Sequence, residues 1–217
     1  MGNKLTGLNL NKGKNILIEL HFAPSLFYFW VLWNSNRFEI ETKENYNKRS
    51  FRNKCIIKSN VGSQIISIPL VKGKNSHTSI QSVEIAYYDD WIRILLHTLQ
   101  TEFGKYPFFE YYIDDIKNII SGKYSFLFNL NKELLTYLCD TIGTPPPDWS
   151  VNYKKVPSSS TVDFRDTITP KLFNHNKILH TYALVDYFEI NPGHSILEAL
   201  FKYGPETGSL LHKMEIP

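Results

Sequence analysis

The sequence predicts a single α/β domain, a mixed sheet that begins with a βαβ unit and is backed by a layer of helices, with an α+β arrangement as the alternative. Three observations carry this reading. Residues 16–42 run strand, short helix, strand, a spacing that joins two parallel strands through a right-handed crossover. Two β-rich runs flank Ser59-Asn60-Val61-Gly62-Ser63, as in a hairpin with a glycine-containing turn. Three successive segments between residues 91 and 142 have the apolar spacing and stop signals of helices. With 217 residues, 42% of them hydrophobic and 21% charged, the chain has the bulk for one continuous core.

Residues 1–14 are polar, contain Gly2, Gly7 and Gly13 and lack periodicity, which predicts a flexible arm ahead of a domain spanning 15–217. Ile16 to Phe22 is a short buried strand ending at His21. Pro24, placed at a first helical turn, opens an aromatic helix that stops near Asn34 and Asn36, and Arg37 to Thr42 is the second strand. Lys54 to Lys58 and Gln64 to Val71 form the hairpin, and Ile80 to Ala86 a further strand with Ile80, Val83 and Ile85 turned inward. Asp89 and Asp90 stand where a helix N-cap belongs, before the Trp91–Phe103 helix, whose apolar stripe (Ile94, Leu95, Leu99, Phe103) leaves His97 outside. A second helix runs from Pro107 to Ile120 with Gly122 as its stop, and a third from Lys123 to Ile142 before Gly143 and three prolines. Glu110, Asp114 and Asp115 on the middle helix read as a solvated face, with no histidine at metal-ligand spacing. Residues 144–170 are too long for a connector and suit a mobile flap. Ile178 to Phe188 is the last strand, and Asn191-Pro192-Gly193 turns into a closing helix where Ser195 and Glu198 have capping-box spacing.

Composition excludes several classes of function. A formal charge of +3, from 24 basic and 21 acidic side chains, is too mild for a generic nucleic-acid binder. Two cysteines, Cys55 and Cys139, are too few for a disulfide framework and point to a reducing, cytoplasmic setting. The most apolar run, Ala23 to Trp33, is shorter than the roughly 18 residues that span a bilayer, and the N-terminus lacks the pattern of a secretion signal. Dinucleotide, Walker, Cys-x-x-Cys, zinc-protease and serine-elbow motifs are missing, so no cofactor and no metal is expected. Oligomeric state is left undetermined.

The stretch Glu44 to Ile57 departs from ordinary loop chemistry. Lys48, Arg49, Arg52 and Lys54 are interleaved with Tyr46 and Phe51 where Gly, Pro and Ser are usual. Such a run is either a solvated basic loop or a surface facing a phosphate or carboxylate. It follows the C-terminal end of the second strand, and His21 ends the first, so both are expected at the rim where open α/β sheets bind ligands. Candidate ligand contacts are Asn45, Lys48, Arg49, Ser50, Arg52 and Asn53, with His21 and Tyr46 as candidate catalytic groups. Asp163 and Arg165 either pair with each other or join the ligand contacts.

The run Glu44-Asn45-Tyr46-x-Lys48-x-Ser50-Phe51-Arg52-Asn53-Lys54-Cys55-x-Ile57 resembles the signature loop of the WbqC-like protein family, in its Bacteroidetes form. Further segments resemble the family as well: His21-Phe22-Ala23-Pro24, Tyr106-Pro107-Phe108-Phe109-Glu110-Tyr111-Tyr112, Phe126-Leu127-Phe128-Asn129-Leu130-Asn131, Asp163-Phe164-Arg165, and Ser195-Ile196-Leu197-Glu198 followed by Gly204-Pro205-Glu206. The likeness runs from about residue 16 to the end. It implies a role in O-antigen or related surface-polysaccharide biosynthesis, with a transferase that modifies a sugar or nucleotide sugar as the leading reading; an acyl or aminoacyl group is one candidate for transfer. The alternative is a non-catalytic binding or scaffold protein of the same system. It draws on two departures, Leu95-Leu96 where the pattern has His-Trp and Tyr182-Ala183-Leu184-Val185 where it has Tyr-x-Gln-Val-Phe, because both remove side chains able to move a proton or orient a group. The expected partner is a nucleotide sugar or another anionic small molecule.

Overall fold

The computed structural model describes residues 14–60, 62–71, 75–174 and 189–213. Strand β1 (Asn15–Glu19) and strand β2 (Arg37–Glu41) pair in parallel, in register from Asn15 opposite Arg37 to Glu19 opposite Glu41. Between them lies α1 (Leu26–Trp33), apolar all round with only Trp33 not fully buried, as a helix enclosed on every side must be. Its N-cap is Ser25, whose hydroxyl accepts from the Tyr28 amide at 3.2 Å, so the helix starts two residues after Pro24 rather than around it. The expected βαβ unit is therefore present.

The rest of this sheet comes from the stretch expected to be a flap. Strands β5 (Asp148–Trp149) and β6 (Thr161–Asp163) add to the two sides, giving the order β5-β2-β1-β6, parallel throughout. Strands of two and three residues are too short to show alternation; they form because the outer edges of β1 and β2 carry backbone groups that need partners. Strands β3 (Lys54–Ser59) and β4 (Gly62–Ser67) make the expected hairpin as a sheet of their own, with Gly62 at φ +119° in the turn. The mixed pairing is thus divided between two sheets.

Residues 80–86 are not a continuous strand. Ile80–Ser82 is a 3-10 turn, followed by isolated bridges of Glu84 with Phe126 and Ile85 with Leu70. Ile80, Val83 and Ile85 are nevertheless buried as expected. The helical layer comprises α2 (Trp91–Phe103), α3 (Phe109–Ile120), α4 (Leu127–Ile142), α5 (Pro170–Asn174), α6 (Ile196–Tyr203) and α7 (Glu206–Lys213). Helices α3 and α4 start two and four residues later than the sequence suggests. Asp90 holds the N-cap position of α2 without a side-chain cap bond, because its carboxylate pairs with Arg93. Leu95 and Leu99 are buried, but Ile94 is half exposed; His97, Glu110, Asp114 and Asp115 face solvent. At α6 the Ser195 hydroxyl caps the Leu197 amide, but Glu198 does not complete the box and turns instead to His194. Residues 1–13 of the arm expected over 1–14, and the expected strand Ile178–Phe188, lie outside the described residues.

Candidate functional site

A parallel sheet ends all its strands on one edge, and here that edge is acidic: Glu19 closes β1, Glu41 closes β2 and Asp163 closes β6. Glu19 and Glu41 are adjacent in register and wholly buried. Carboxylates in that position need cations and donors, since an unpaired buried charge costs several kcal/mol. Glu41 receives Arg165 Nη1 at 3.1 Å, the Ser150 hydroxyl at 2.9 Å and the Lys43 amide at 2.9 Å. Arg165 also forks onto Asp163, through Nε at 2.9 Å and Nη2 at 2.8 Å. Asp163 and Arg165 therefore pair with each other, and the guanidinium additionally ties β6 to β2.

Glu19 is contacted by His21 Nε2 at 2.9 Å and accepts from the Asp166 amide at 3.1 Å. Burial opposes its charge, but His21 and the nearby Arg52 outweigh burial and hold its pKa below the usual range. His21 lies between the rings of Tyr28 and Phe51, at centroid distances of 4.7 and 5.5 Å, with no exposed surface; its Nδ1 has no hydrogen-bond partner among the described residues. It does meet the signature loop, as expected: the Phe22 amide donates to the Phe51 carbonyl at 2.9 Å. The encounter takes place beneath the surface, so the imidazole is placed to hold Glu19 and does not reach a ligand as a base.

The loop itself divides into an inward and an outward set. Arg52 is fully buried, its Nε and Nη2 donating to the two oxygens of Glu44 at 2.7 and 2.5 Å and its Nη1 to Asp166 at 3.0 Å. Asp166 adopts φ +56°, a left-handed conformation that Asp tolerates. Ser50 is buried and donates to the Asn47 carbonyl, while Asn53 bridges the Tyr46 hydroxyl at 2.9 Å and the Ile68 carbonyl at 2.9 Å. These three predicted ligand contacts, Ser50, Arg52 and Asn53, are occupied by the protein; a buried guanidinium must have its hydrogen bonds met internally, and the half-buried Asn53 amide spends both ends on the protein. Burial raises the Glu44 carboxyl to about 7, against the Arg52 hydrogen bonds and with help from Glu19 and Asp166. Arg52 loses to burial but gains more from the same carboxylates, and its pKa rises.

The outward set lines a cleft of about 840 Å³. Asn45, Tyr46, Lys48 and Arg49 of the predicted residues are there, joined by Asp163 and Arg165. The sequence reading missed Lys43, Glu44 and Asn47 from the same loop, and Tyr153, Lys155 and Asp166 from the edge-strand region. Glu44 stands in the signature run, but its role depends on Arg52 being buried, which the sequence does not show; Tyr153 and Lys155 sit in a stretch with no pattern to single them out. Arg165 lies 5.1 Å from the centre of the Tyr153 ring. The side chains of Lys48, Arg49 and Lys155 are exposed and make no ion pair among the described residues. Arg52 and Arg165 are thus taken up by carboxylates of the floor, whereas the rim cations make no ion pair among the described residues.

These features define an α/β protein with a polar cleft at the carboxyl edge of a parallel sheet. Residues 21–166, more than half of the chain and including every residue that lines the cleft, match the WbqC-like protein family. The chain belongs to that family. No curated protein and no solved structure matches it. Among the described residues no helix is long and apolar enough to cross a membrane.

Proposed function

We propose that the cleft binds a phosphate-bearing sugar of the nucleotide-sugar class and that the protein transfers a group onto that sugar in surface-polysaccharide assembly. The observation that carries the proposal is the separation of charges: Arg52 and Arg165 are consumed by the floor, whereas Lys48, Arg49 and Lys155 are left on the rim of a polar cleft. Unpaired cations around a polar hollow suit a phosphate, and the exposed Tyr153 offers ring surface for a sugar or base. Glu44 lines the cleft with a carboxyl near neutrality, suited to accept the proton of an attacking sugar hydroxyl or amine. The family likeness supplies the polysaccharide context.

The scaffold alternative rested partly on Leu95. That residue is buried within α2 and is not among the cleft residues, so the departure there takes no proton-transferring group out of this cleft. Position 183 lies outside the described residues.

The test is thermal denaturation with nucleotide sugars, coenzyme A and acyl nucleotides, for the wild type and an Arg49→Ala/Lys155→Ala variant. Ligand at a hundredfold its Kd stabilises by about 2.7 kcal/mol, roughly 5–10 °C for a chain of this size. The expected result is a shift of that order with a nucleotide sugar, lost in the variant, whose own melting point stays within about 2 °C of wild type because both side chains are exposed. Equal shifts in both proteins refute the assigned site, and no shift with any ligand favours the scaffold.

A further inference from the structure

Away from the cleft, the turn end of the hairpin meets the start of α6 through a chain of polar side chains. The Ser63 hydroxyl is 2.8 Å from His194 Nε2, and His194 Nδ1 is 2.8 Å from a carboxyl oxygen of Glu198. A carboxylate only accepts, so Nδ1 carries the proton donated to Glu198, and Nε2 is left as the acceptor for the Ser63 O–H. We propose that Ser63, His194 and Glu198 form a second reactive site, a serine nucleophile with its base and orienting carboxylate, that accepts acyl groups from carboxylic esters or thioesters.

The arrangement is supported from both sides. His194 and Glu198 are 6% and 2% exposed, and burying an ionisable pair is seldom a gain in stability. Their outer nitrogen is nevertheless aimed at a serine in an exposed position, where a single hydrogen bond adds little to stability. The backbone holds the parts in place: the Ser195 amide donates to the Ile56 carbonyl at 2.8 Å, locking the hairpin to the helix start, and the His194 carbonyl accepts from Leu26 at 2.8 Å. Tyr106 approaches the second oxygen of Glu198 at 3.4 Å. Lys58 stands directly opposite Ser63 in the hairpin register, with its Nζ 3.5 Å from the Tyr106 hydroxyl, and provides a cation beside the nucleophile for a developing oxyanion.

In the reaction, Ser63 Oγ bonds to the carbonyl carbon as its proton passes to His194 Nε2. The bond to the alkoxide or thiolate then breaks, and that leaving group takes the proton from Nε2. Water releases the acid from acyl-Ser63, its proton returning through Nε2 to Ser63 Oγ, so no oxidant or co-reactant is needed. Glu198 acts through His194 and is a positioning residue.

The experiment treats the full-length protein with a fluorophosphonate probe and locates the adduct by peptide mass spectrometry. The expected result is phosphonylation of Ser63 in the native protein, at a rate at least tenfold lower in His194→Gln and in Glu198→Gln, with melting points recorded for each. Glu198→Asp should keep part of the rate lost in Glu198→Gln, which a purely structural tie would not do. An unmodified Ser63 in the native wild type at saturating probe overturns the proposal without recourse to any variant. Labelling that proceeds equally in a folded His194→Gln variant, or equally in heat-unfolded wild type, overturns it as well.

Discussion

Replacing Arg52 with alanine tests the buried charge network under the cleft. The side chain has no exposed surface and binds both oxygens of Glu44, itself 8% exposed, so the variant leaves an uncompensated buried carboxylate. Breaking such a pair costs about 3–5 kcal/mol. The contact to Asp166 adds little to this, because that carboxylate is 52% exposed and screened by water. At roughly 2–4 °C per kcal/mol, the melting point should fall by about 6–20 °C. The loss should also depend on pH. A carboxyl whose pKa is raised on folding binds its proton more tightly in the native state, so its penalty is absent below the unfolded value of 4.5 and complete above the folded value, about 7 in the wild type. Removing Arg52 raises the folded value further, so the deficit of the variant relative to wild type should widen from pH 5 to pH 8. Adding Glu44→Gln should recover part of it, since the two residues are coupled. Differential scanning calorimetry at both pH values is the assay. A fall of less than about 2 °C at pH 8, or an equal deficit at both pH values, refutes the network as described.

Two other expectations concern the core. Burial pushes the thiols of Cys55 and Cys139 up to about 12, and both are essentially inaccessible, so a disulfide reagent at pH 8 should titrate neither until denaturant is added, and then both; rapid reaction of the native protein contradicts this packing. Gly208 faces the Ile142 carbonyl, which a Cβ would approach to 2.3 Å, and the Trp33 ring at 2.9 Å. Gly208→Ala should therefore cost about 1–3 kcal/mol by overpacking, despite alanine's better helix propensity, and a rise in melting point would show that α7 has room to shift.

Much of the fold was legible because its elements are long enough to show a period or carry their own stop signals. The strand-helix-strand opening, the hairpin and the three helices of residues 91–142 were all detectable on that basis. Residues 80–86 misled because Ile80, Val83 and Ile85 are buried in a turn and isolated bridges, and burial alone does not distinguish these from a strand. The edge strands Asp148–Trp149 and Thr161–Asp163 were illegible for a different reason: their pairing is dictated by β2 and β1, not by local residues.

The site was legible as a stretch, not as a set of side chains. Composition located residues 44–57, but a loop has no period, so nothing local says that Arg49 faces the cleft and Arg52 the interior. That choice depends on how the loop folds back on itself, bringing Glu44 onto Arg52, and on Asp166, 114 residues away in the chain. By itself the sequence determined the α/β class, the family likeness and the basic-aromatic loop, because these follow from local pattern and residue identity. Only the tertiary structure decided which cations remain free, because the charge of a buried group is settled by whatever partners the fold brings within hydrogen-bond reach.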